Sequence, residues 1–436
     1  MNSRRPEPEG GDYSIHIATT LRAVEDLGPV WKTWTNSLET DIEYYLHNLT
    51  SDSTILHPYV ITICQGEIAR AMLIGLVRRL KTSAAVSFIR IPGPTAKVLE
   101  IMKGGRLGQQ SSAIDQLIAR QLAKAIARDK INLLRFHRLP LRSELLSQLR
   151  QLPSLAVKQP VADASHDSIL FLTSRKGKPA PVFSGKLMRE VRRKTRILRR
   201  AFPNKARFKC FSEPFELDAG IRDSITVVMA SWQHPLGYGL VDSCQLRESF
   251  RFFAKQGWLR IYVLYIDERP RAFLIGQLYN DTFYCQYAGY DLGFARFSVG
   301  SLLTAWALEN LASTGVQQVD LGEGNREYNQ RLGCEWCEAV RLDVCSPTLR
   351  GRWLSMFFTT TKIAQITGHG LLSRLGMNRI GKIWRDFLVA RVTSTNVHAR
   401  RKVGSVLGGL GGSGELGDLT AIYNPTTKEH DKHGDF

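Results

Sequence analysis

The stretch with the clearest capacity for chemistry is the loop Arg296-Phe297-Ser298-Val299-Gly300-Ser301, which leads into an apolar helical pattern. A helix that begins on a loop points unpaired N–H groups and its positive dipole end at whatever lies there. One arginine, two hydroxyl groups and one glycine suit a phosphate or a pyrophosphate at that point. Serine and glycine also open many helices as caps alone, so the pattern leaves both interpretations open.

The elements that must position this loop lie between Trp258 and Leu321. Runs of β-branched and aromatic residues, separated by turn residues, predict three strands before the loop and one after the helix. These predicted strands are 258–266, 271–279, 282–289 and 316–321. The helix between the last two opens at about Gly300 and ends at Gly315. The loop therefore connects a strand to a helix at one edge of a sheet.

Three phrases of this region resemble the GNAT acetyltransferase superfamily. They are Gly289-Tyr290-Asp291, the loop at 296–301, and Val319-Asp320-Leu321-Gly322-Glu323-Gly324 followed by Tyr328. They most resemble its CelD-like branch, which is related to the FemAB transferases and often linked to bacterial cellulose or exopolysaccharide synthesis. The likeness is densest over 175–344 and thinner over 31–149. Two lysines usual in that branch are absent, because this chain has Tyr328-Asn329 and Ser231-Trp232-Gln233 at their places.

The resemblance implies transfer of an acetyl or other acyl group from coenzyme A to an amine or hydroxyl acceptor. Such a transfer needs a base for the nucleophile, donors for the oxyanion, an acid for the thiolate, and a grip on the cofactor. Glu323, at the carboxyl end of a strand, is the candidate base, and Tyr328 is the candidate acid. Asp320 is either a further catalytic group or one that orients its neighbours.

The same resemblance places the acetyl-CoA pyrophosphate on the loop at 296–301 and backbone donors near 285–288. Trp232 and Tyr287 are candidates for substrate contact, with the core or the pocket wall as the alternative. The Cys334-x-x-Cys337 pair has only Cys345 nearby, which is too few ligands for zinc, so no metal is expected.

The first third of the chain repeats this order of elements. Its predicted elements are strands at 58–64, 68–80 and 86–91, a loop at 104–108, a helix at 111–128 and a strand at 131–136. The phrase Arg-Ala-Met-Leu-Ile-Gly at 70–75 matches Arg-Ala-Phe-Leu-Ile-Gly at 271–276 in five of six residues. We therefore predict an α/β protein of tandem GNAT-like domains, each a mixed central β-sheet flanked by helices. Chemistry is expected in the second, because the first lacks an acidic residue after its closing strand.

Composition divides the chain further. The predicted parts are a disordered N-terminus at 1–12, an N-terminal degenerate GNAT-like domain at 13–150, a linker at 151–174, a C-terminal GNAT acetyltransferase domain at 175–347, a basic helical extension at 348–402 and a flexible tail at 403–436. Proline, glycine and polar residues mark the terminus, the linker and the tail.

The net charge of +19 is concentrated in two segments. Residues 175–209 hold 14 Lys or Arg and one Glu, while residues 350–402 hold 11 and one Asp. These segments should meet an anionic partner, such as an envelope or polysaccharide precursor or an anionic membrane. Transfer from charged tRNA, as in FemAB relatives, is a second hypothesis, and a non-catalytic module for polysaccharide assembly is a third. DNA is not expected.

The expected location is the cytoplasm, with contact to the inner face of a membrane. The N-terminus lacks the apolar core of a signal peptide, and no window holds 18 consecutive apolar residues. Residues 353–392 mix basic residues with aromatic and aliphatic ones. That mixture suits packing on a domain or a position at a membrane surface, and the sequence leaves both open.

Overall fold

The computed structural model describes residues 13–86, 89–128, 130–151, 163–172, 185–234, 239–322 and 326–374. These residues form two compact units. The first takes 13–165 and 338–370, and the second takes 166–337 and 371–374. The predicted disordered terminus and flexible tail lie outside the described residues, as does residue 323.

The first unit is a six-stranded mixed sheet with helices on both faces. Its strands are β1 Tyr13–Ala18, β2 Ile55–Gln65, β3 Ile68–Val86, β4 Ile89–Gly108, β5 Leu133–Pro140 and β12 Glu335–Cys345. Its helices are α1 Leu21–Glu25, α2 Gly28–Trp34, α3 Ile42–Ser51, α4 Ser112–Arg128, α5 Glu144–Gln151 and α11 Leu349–Arg374. Neighbours from β1 to β4 are antiparallel, β4 and β5 are parallel, and β12 runs antiparallel to β5.

The second unit follows the same plan. Its strands are β6 Asp163–Phe171, β7 Ala206–Phe211, β8 Leu259–Ile266, β9 Arg269–Tyr279, β10 Thr282–Tyr290 and β11 Gln318–Asp320. Its helices are α6 Gly185–Ala201, α7 Leu217–Met229, α8 Cys244–Lys255, α9 Val299–Ser313 and α10 Arg326–Leu332. Neighbours from β7 to β10 are antiparallel, β10 and β11 are parallel, and β6 runs antiparallel to β11.

Apolar residues that alternate along the strands build the cores. In the first unit, α4 and α5 bury residues such as Ile118 and Leu146 against one face of the sheet. In the second unit, α9 packs Leu302, Leu303 and Leu308 against one face of its sheet. Helix α9 has apolar residues on most of its surface, as expected for a helix buried in a core.

The two units are structural repeats down to single hydrogen bonds. The carbonyl of Arg70 accepts from the Gln109 amide at 2.8 Å, and the carbonyl of Arg271 accepts from the Asp291 amide at 2.8 Å. These arginines begin the two matching sequence phrases. The tandem mixed α/β fold predicted from the sequence is therefore confirmed.

Several local expectations differ from the structure. The predicted loop at 104–108 is the last part of β4, which continues past an irregular pairing with β3 between Leu73 and Gly75. Residues 163–171, placed in a linker, form β6, whose apolar end packs in the second core. Pro153 and Pro160, which precede this strand in the sequence, favoured a linker there. Helix α11, placed in a separate extension, packs on the first unit through Leu354.

The glycine that ends each matching phrase lies next to a break in strand register. Gly276 pairs with Cys285, immediately before the register shifts between Cys285 and Tyr287. A Cβ atom on Gly276 would lie 2.3 Å from the Tyr284 carbonyl oxygen, too close for any side chain. At Gly75 the nearest backbone oxygen, that of Glu100, would lie at 3.0 Å. The irregular strands therefore require glycine most strictly in the second unit.

We expect Gly276→Ala to destabilise the protein by about 2 kcal/mol, because the backbone of β10 must shift to admit a methyl group. Gly75→Ala should cost less, since its closest neighbour is the flexible end of Ile101. Gly185→Ala is the matched control, because a Cβ there meets nothing within 4 Å. Equilibrium urea unfolding measures all three, and an unchanged midpoint for Gly276→Ala would contradict the packing described.

Candidate active site

The candidate site begins where β10 and β11 separate. The two strands pair only through 282–284 and 318–320, whereas β10 continues to Tyr290 beside β9. The register shift at residue 286 turns the remaining part of β10. Past Tyr284, β10 therefore keeps β9 as its strand neighbour and leaves a gap on the β11 side. A gap of this kind gives an extended ligand access to strand backbone.

Tyr328 is buried beside this gap. It lies on α10, the helix that follows β11, and its hydroxyl group is hydrogen-bonded with Thr304 of α9. Burial raises the pKa of Tyr328 to about 12. The phenol therefore stays protonated through the neutral range and can donate to a developing negative charge. The role of proton donor that the family resemblance implies for Tyr328 stays a prediction.

Cys285 is a neighbour of this tyrosine that the sequence analysis did not single out. Its thiol packs against the second core, and desolvation there, reinforced by the Asp320 carboxylate, raises its pKa to about 12. A thiol in that state is a weak nucleophile at neutral pH. Cys285 is therefore a poor candidate for a nucleophile at neutral pH. A cysteine inside an aromatic strand gives no sequence signal for this.

Asn329 is fully buried, and neither polar atom of its side chain has a hydrogen-bond partner among the residues that the structure describes. Leaving a buried amide unsatisfied costs about 1–3 kcal/mol. Gln233 is similar, since its Nε2 donates to the Ala288 carbonyl at 3.0 Å, while its buried Oε1 has no hydrogen-bond partner in the described part of the chain. Both carboxamides stand where the resembling branch has lysine. Their free atoms suit a neutral hydrogen-bonding group rather than an anion.

The N-terminus of α9 follows the carboxyl end of β10, after a short 3-10 turn at Leu292–Phe297. The first helical amides, at Val299, Gly300 and Ser301, have no intrahelical acceptor, and the first turn holds no acidic residue. Ser298 occupies the cap position in a left-handed conformation, with φ 55°, and its side chain makes no capping hydrogen bond. Simple capping therefore does not explain this serine.

The loop before α9 is held in place by Asp291. Its Oδ1 accepts from the Gly293 amide at 2.8 Å, and its Oδ2 accepts from Arg271 Nη1 at 2.6 Å. Phe297 and Val299 bury their side chains in the core, so only their backbone can contact a ligand. Arg296 is exposed, and Gly300 and Ser301 are partly buried. The loop residues predicted from the sequence are thus together, but two of the six act only through backbone.

Helix α6 runs beside this loop and presents arginines to solvent. Lys194 donates to the Arg296 carbonyl at 3.3 Å, while the apolar side of α6 joins the second core. The exposed arginines are Arg189, Arg192, Arg193, Arg196, Arg199 and Arg200. Within the described residues none of these six has an acidic partner. The surroundings of the α9 N-terminus are therefore strongly positive.

The remaining predicted site residues are Asp320, Tyr287, Trp232 and Glu323. Asp320 is buried and its Oδ1 accepts from the Gly322 amide at 2.8 Å, which favours an orienting part. Tyr287 lies against Phe250 of α8, with ring centroids 6.3 Å apart, and Trp232 is half-buried. Glu323 lies outside the described residues.

The equivalent positions of the first unit are filled by its own ion pairs. Asp115, in the first turn of α4, is buried and accepts from Arg106 Nε at 2.7 Å. Burial opposes ionisation of Glu100, but contacts with His137 and Arg78 outweigh it and hold the pKa of Glu100 below its usual value. A helix start that already carries a carboxylate is a poor phosphate site, which favours placing chemistry in the second unit.

Comparison with known proteins agrees with this geometry. Residues 185–330 match the family model of the acetyltransferase (GNAT) domain. The second unit carries a GNAT acetyltransferase-like domain. The match covers α6 through most of α10, and so includes the strand gap, the α9 N-terminus and Tyr328. No curated protein matches the chain.

Several solved structures are similar to this chain at low sequence identity. FemX has a TM-score of 0.49 at 9% identity, over 76% of this chain and 96% of its own. The C-terminal domain of a putative lysylphosphatidylglycerol synthetase from Agrobacterium fabrum has 0.45 at 13%, over 77% and 95%. A tandem GNAT protein from the clavulanic acid biosynthesis pathway has 0.43 at 12%, over 77% and 100%. Resemblances this distant say nothing about what this chain acts on.

Because the Asn329 side-chain amide is buried without a partner among the described residues, its replacement should raise stability and lower activity. We expect Asn329→Leu to raise the free energy of unfolding by about 1 kcal/mol, since a near-isosteric apolar group removes the buried unmet amide. If the amide contacts substrate, the same variant should lower kcat/KM of the GNAT domain. Thermal unfolding and steady-state kinetics measure the two effects. A destabilised Asn329→Leu would show that the amide has a structural partner instead.

Proposed function

We propose that this protein is an acyl-CoA-dependent acyltransferase whose reaction takes place in the GNAT domain. The observation that carries the proposal is the pairing of an open strand gap with a helix N-terminus that holds free amides and no acid. Coenzyme A has an extended pantetheine arm that suits such a gap, and its pyrophosphate suits the helix N-terminus. Acetyl-CoA is the proposed donor, and an amine or hydroxyl group is the proposed acceptor.

In this proposal different residues bind different parts of coenzyme A. The amides of Val299, Gly300 and Ser301 hold the pyrophosphate, with Arg296 beside them. The backbone of 285–288 along the gap aligns the thioester and offers donors to the oxyanion. Coenzyme A supplies the activated acyl group, and the chain supplies orientation and proton transfer. No three potential metal ligands cluster in the described part of the chain, and the proposal requires none.

Two side chains are proposed to move protons. Glu323 removes a proton from the acceptor as its nitrogen or oxygen attacks the thioester carbonyl. When the carbon–sulfur bond breaks, Tyr328 donates to the departing thiolate. Because the pKa of Tyr328 is about 12, this donor persists across the whole neutral and mildly alkaline range. Asp320 holds the turn that leads to Glu323.

The proposed acceptor belongs to cell-envelope or exopolysaccharide synthesis, as the CelD-like phrases at 289–291 and 319–324 suggest. The carboxamides of Asn329 and Gln233 support an acceptor that presents neutral hydrogen-bonding groups, as a sugar does. The CelD-like phrases and the two carboxamides are the observations that support this class of acceptor.

Gly300→Glu tests the cofactor site. A carboxylate at the helix N-terminus adds bulk and negative charge where the pyrophosphate binds, so acetyl-CoA binding should fall below detection in titration calorimetry. Ser313→Glu is the matched control, because it adds the same charge to the exposed far end of α9. Equal affinities for the two variants would refute the placement.

Tyr328→Phe and Glu323→Gln test the proton transfers. Each should lower kcat by about 100-fold or more and leave acetyl-CoA affinity unchanged, since neither group holds the cofactor. Deprotonation of Tyr328 should end activity only as the pH passes through about 12, so a fall attributable to this group near pH 8 would contradict its assignment. Normal kcat in Tyr328→Phe would remove it from the reaction.

Transfer from aminoacyl-tRNA remains the second candidate, because the arginine face of α6 borders the same loop. Arginine suits a phosphate backbone through its planar, forked donors. Filter binding of tRNA by the wild type and by Arg193→Glu/Arg196→Glu, beside acetyl-CoA titration of the same proteins, separates the two candidates. Acetyl-CoA binding without tRNA binding supports the first.

A further inference from the structure

Helix α11 in the first unit has two apolar faces, and among the described residues only one of them is covered. Leu354 is fully buried against Ala96, Val98 and Leu133, with Phe358 packed beside them. The other face is open to solvent. Its large side chains and their exposed fractions are Leu349 at 86%, Trp353 at 50%, Met356 at 58% and Ile363 at 54%.

The exposed residues form one stripe along the helix. Their positions 349, 353, 356 and 363 are spaced by four, three and seven residues, so they share a side of the helix. Thr360 and Thr367 are exposed and continue the same spacing. The stripe from Leu349 to Ile363 is roughly 21 Å long at the helical rise. Apolar residues aligned on one side of a helix indicate a contact surface, whereas scattered exposed apolar residues do not.

The charges around this stripe have one sign. No acidic residue occurs between Asp343 and the end of the described part of α11 at Arg374. Arg350 and Arg352 lie in the first turn of α11, are exposed, and have no acidic partner among the residues that the structure describes. An apolar stripe that contains tryptophan and is bordered by arginine matches the surface of an anionic bilayer in both polarity and charge.

We propose that this face of α11 binds the surface of an anionic membrane. The stripe enters the layer between headgroups and acyl chains, Trp353 lies at that boundary, and Arg350 and Arg352 contact lipid phosphates. The helix lies in the plane of the surface, since its opposite face is fixed to the first unit by Leu354. No described helix is long and apolar enough to cross a bilayer, which agrees with contact at one surface. The proposal is independent of the transfer reaction.

Sedimentation of the full chain with vesicles tests the proposal. The protein should pellet with vesicles rich in phosphatidylglycerol and bind far less to pure phosphatidylcholine. Trp353→Ser/Met356→Ser should weaken binding by about tenfold or more, because two apolar side chains no longer leave water. Arg350→Gln and Arg352→Gln should each weaken it about fivefold at low salt.

Matched controls lie in the second unit. Phe215 is 85% exposed and Arg251 is exposed, so Phe215→Ser and Arg251→Gln remove the same kinds of side chain from other surfaces. Both controls should bind vesicles like the wild type. Quenching of Trp353 fluorescence by brominated lipid, lost in Trp353→Phe, gives a second readout that does not depend on the amount of folded protein.

Three results would overturn the proposal. The first is wild-type binding by the Trp353→Ser/Met356→Ser variant. The second is equal loss of binding in the variants and their controls. The third is a concentration-dependent dimer, measured by light scattering, that the stripe variant abolishes while vesicles fail to bind, because the stripe would then cover a second copy of the chain.

Discussion

The separation of β10 from β11 is the constraint on which the second unit depends. Only three residue pairs join the strands, and the register of β10 then shifts beside Gly276, where a side chain has no room. The continuous core on the α9 side holds both strands while they part. This arrangement places the β10 backbone, the buried Tyr328 hydroxyl and the α9 amides around one gap. Each alone is ordinary, and their combination is what supports acyl transfer.

The two repeats share one framework, but only the second combines it with a helix start suited to a phosphate. Both units place a glycine beside an irregular strand and close the end of that strand with an equivalent backbone hydrogen bond, which the carbonyl of Arg70 or Arg271 accepts. In the first unit the helix start carries Asp115 bound to Arg106, and Glu100 is bound to Arg78. Paired opposite charges largely cancel each other's field, so they offer little attraction to a phosphate. The second unit keeps the helix start free of acid and places arginines beside it.

Sequence alone predicted the repeat, because five identical residues at equivalent places coincide with a matching order of elements. It also placed the α9 loop correctly, since strand and helix patterns on both sides were strong. The path of β4 past residue 104 was missed because its glycines read as a loop, although neighbouring strands hold them in the sheet. Cys285, Thr304 and the unmet amide of Asn329 were beyond sequence reasoning, because burial and hydrogen-bond partners depend on contacts distant along the chain. The exposed stripe of α11 likewise needed the structure, since apolar residues occur all around that helix and only packing shows which face is covered.

Amide hydrogen exchange of the full chain with and without acetyl-CoA tests the central claim most directly. The account predicts slowed exchange at Val299, Gly300 and Ser301 together with 285–288, and no change at the start of α4. Protection at both segments of the second unit would place the cofactor along the gap and on the helix N-terminus at once. No protection at saturating acetyl-CoA, or protection confined to the first unit, would contradict it.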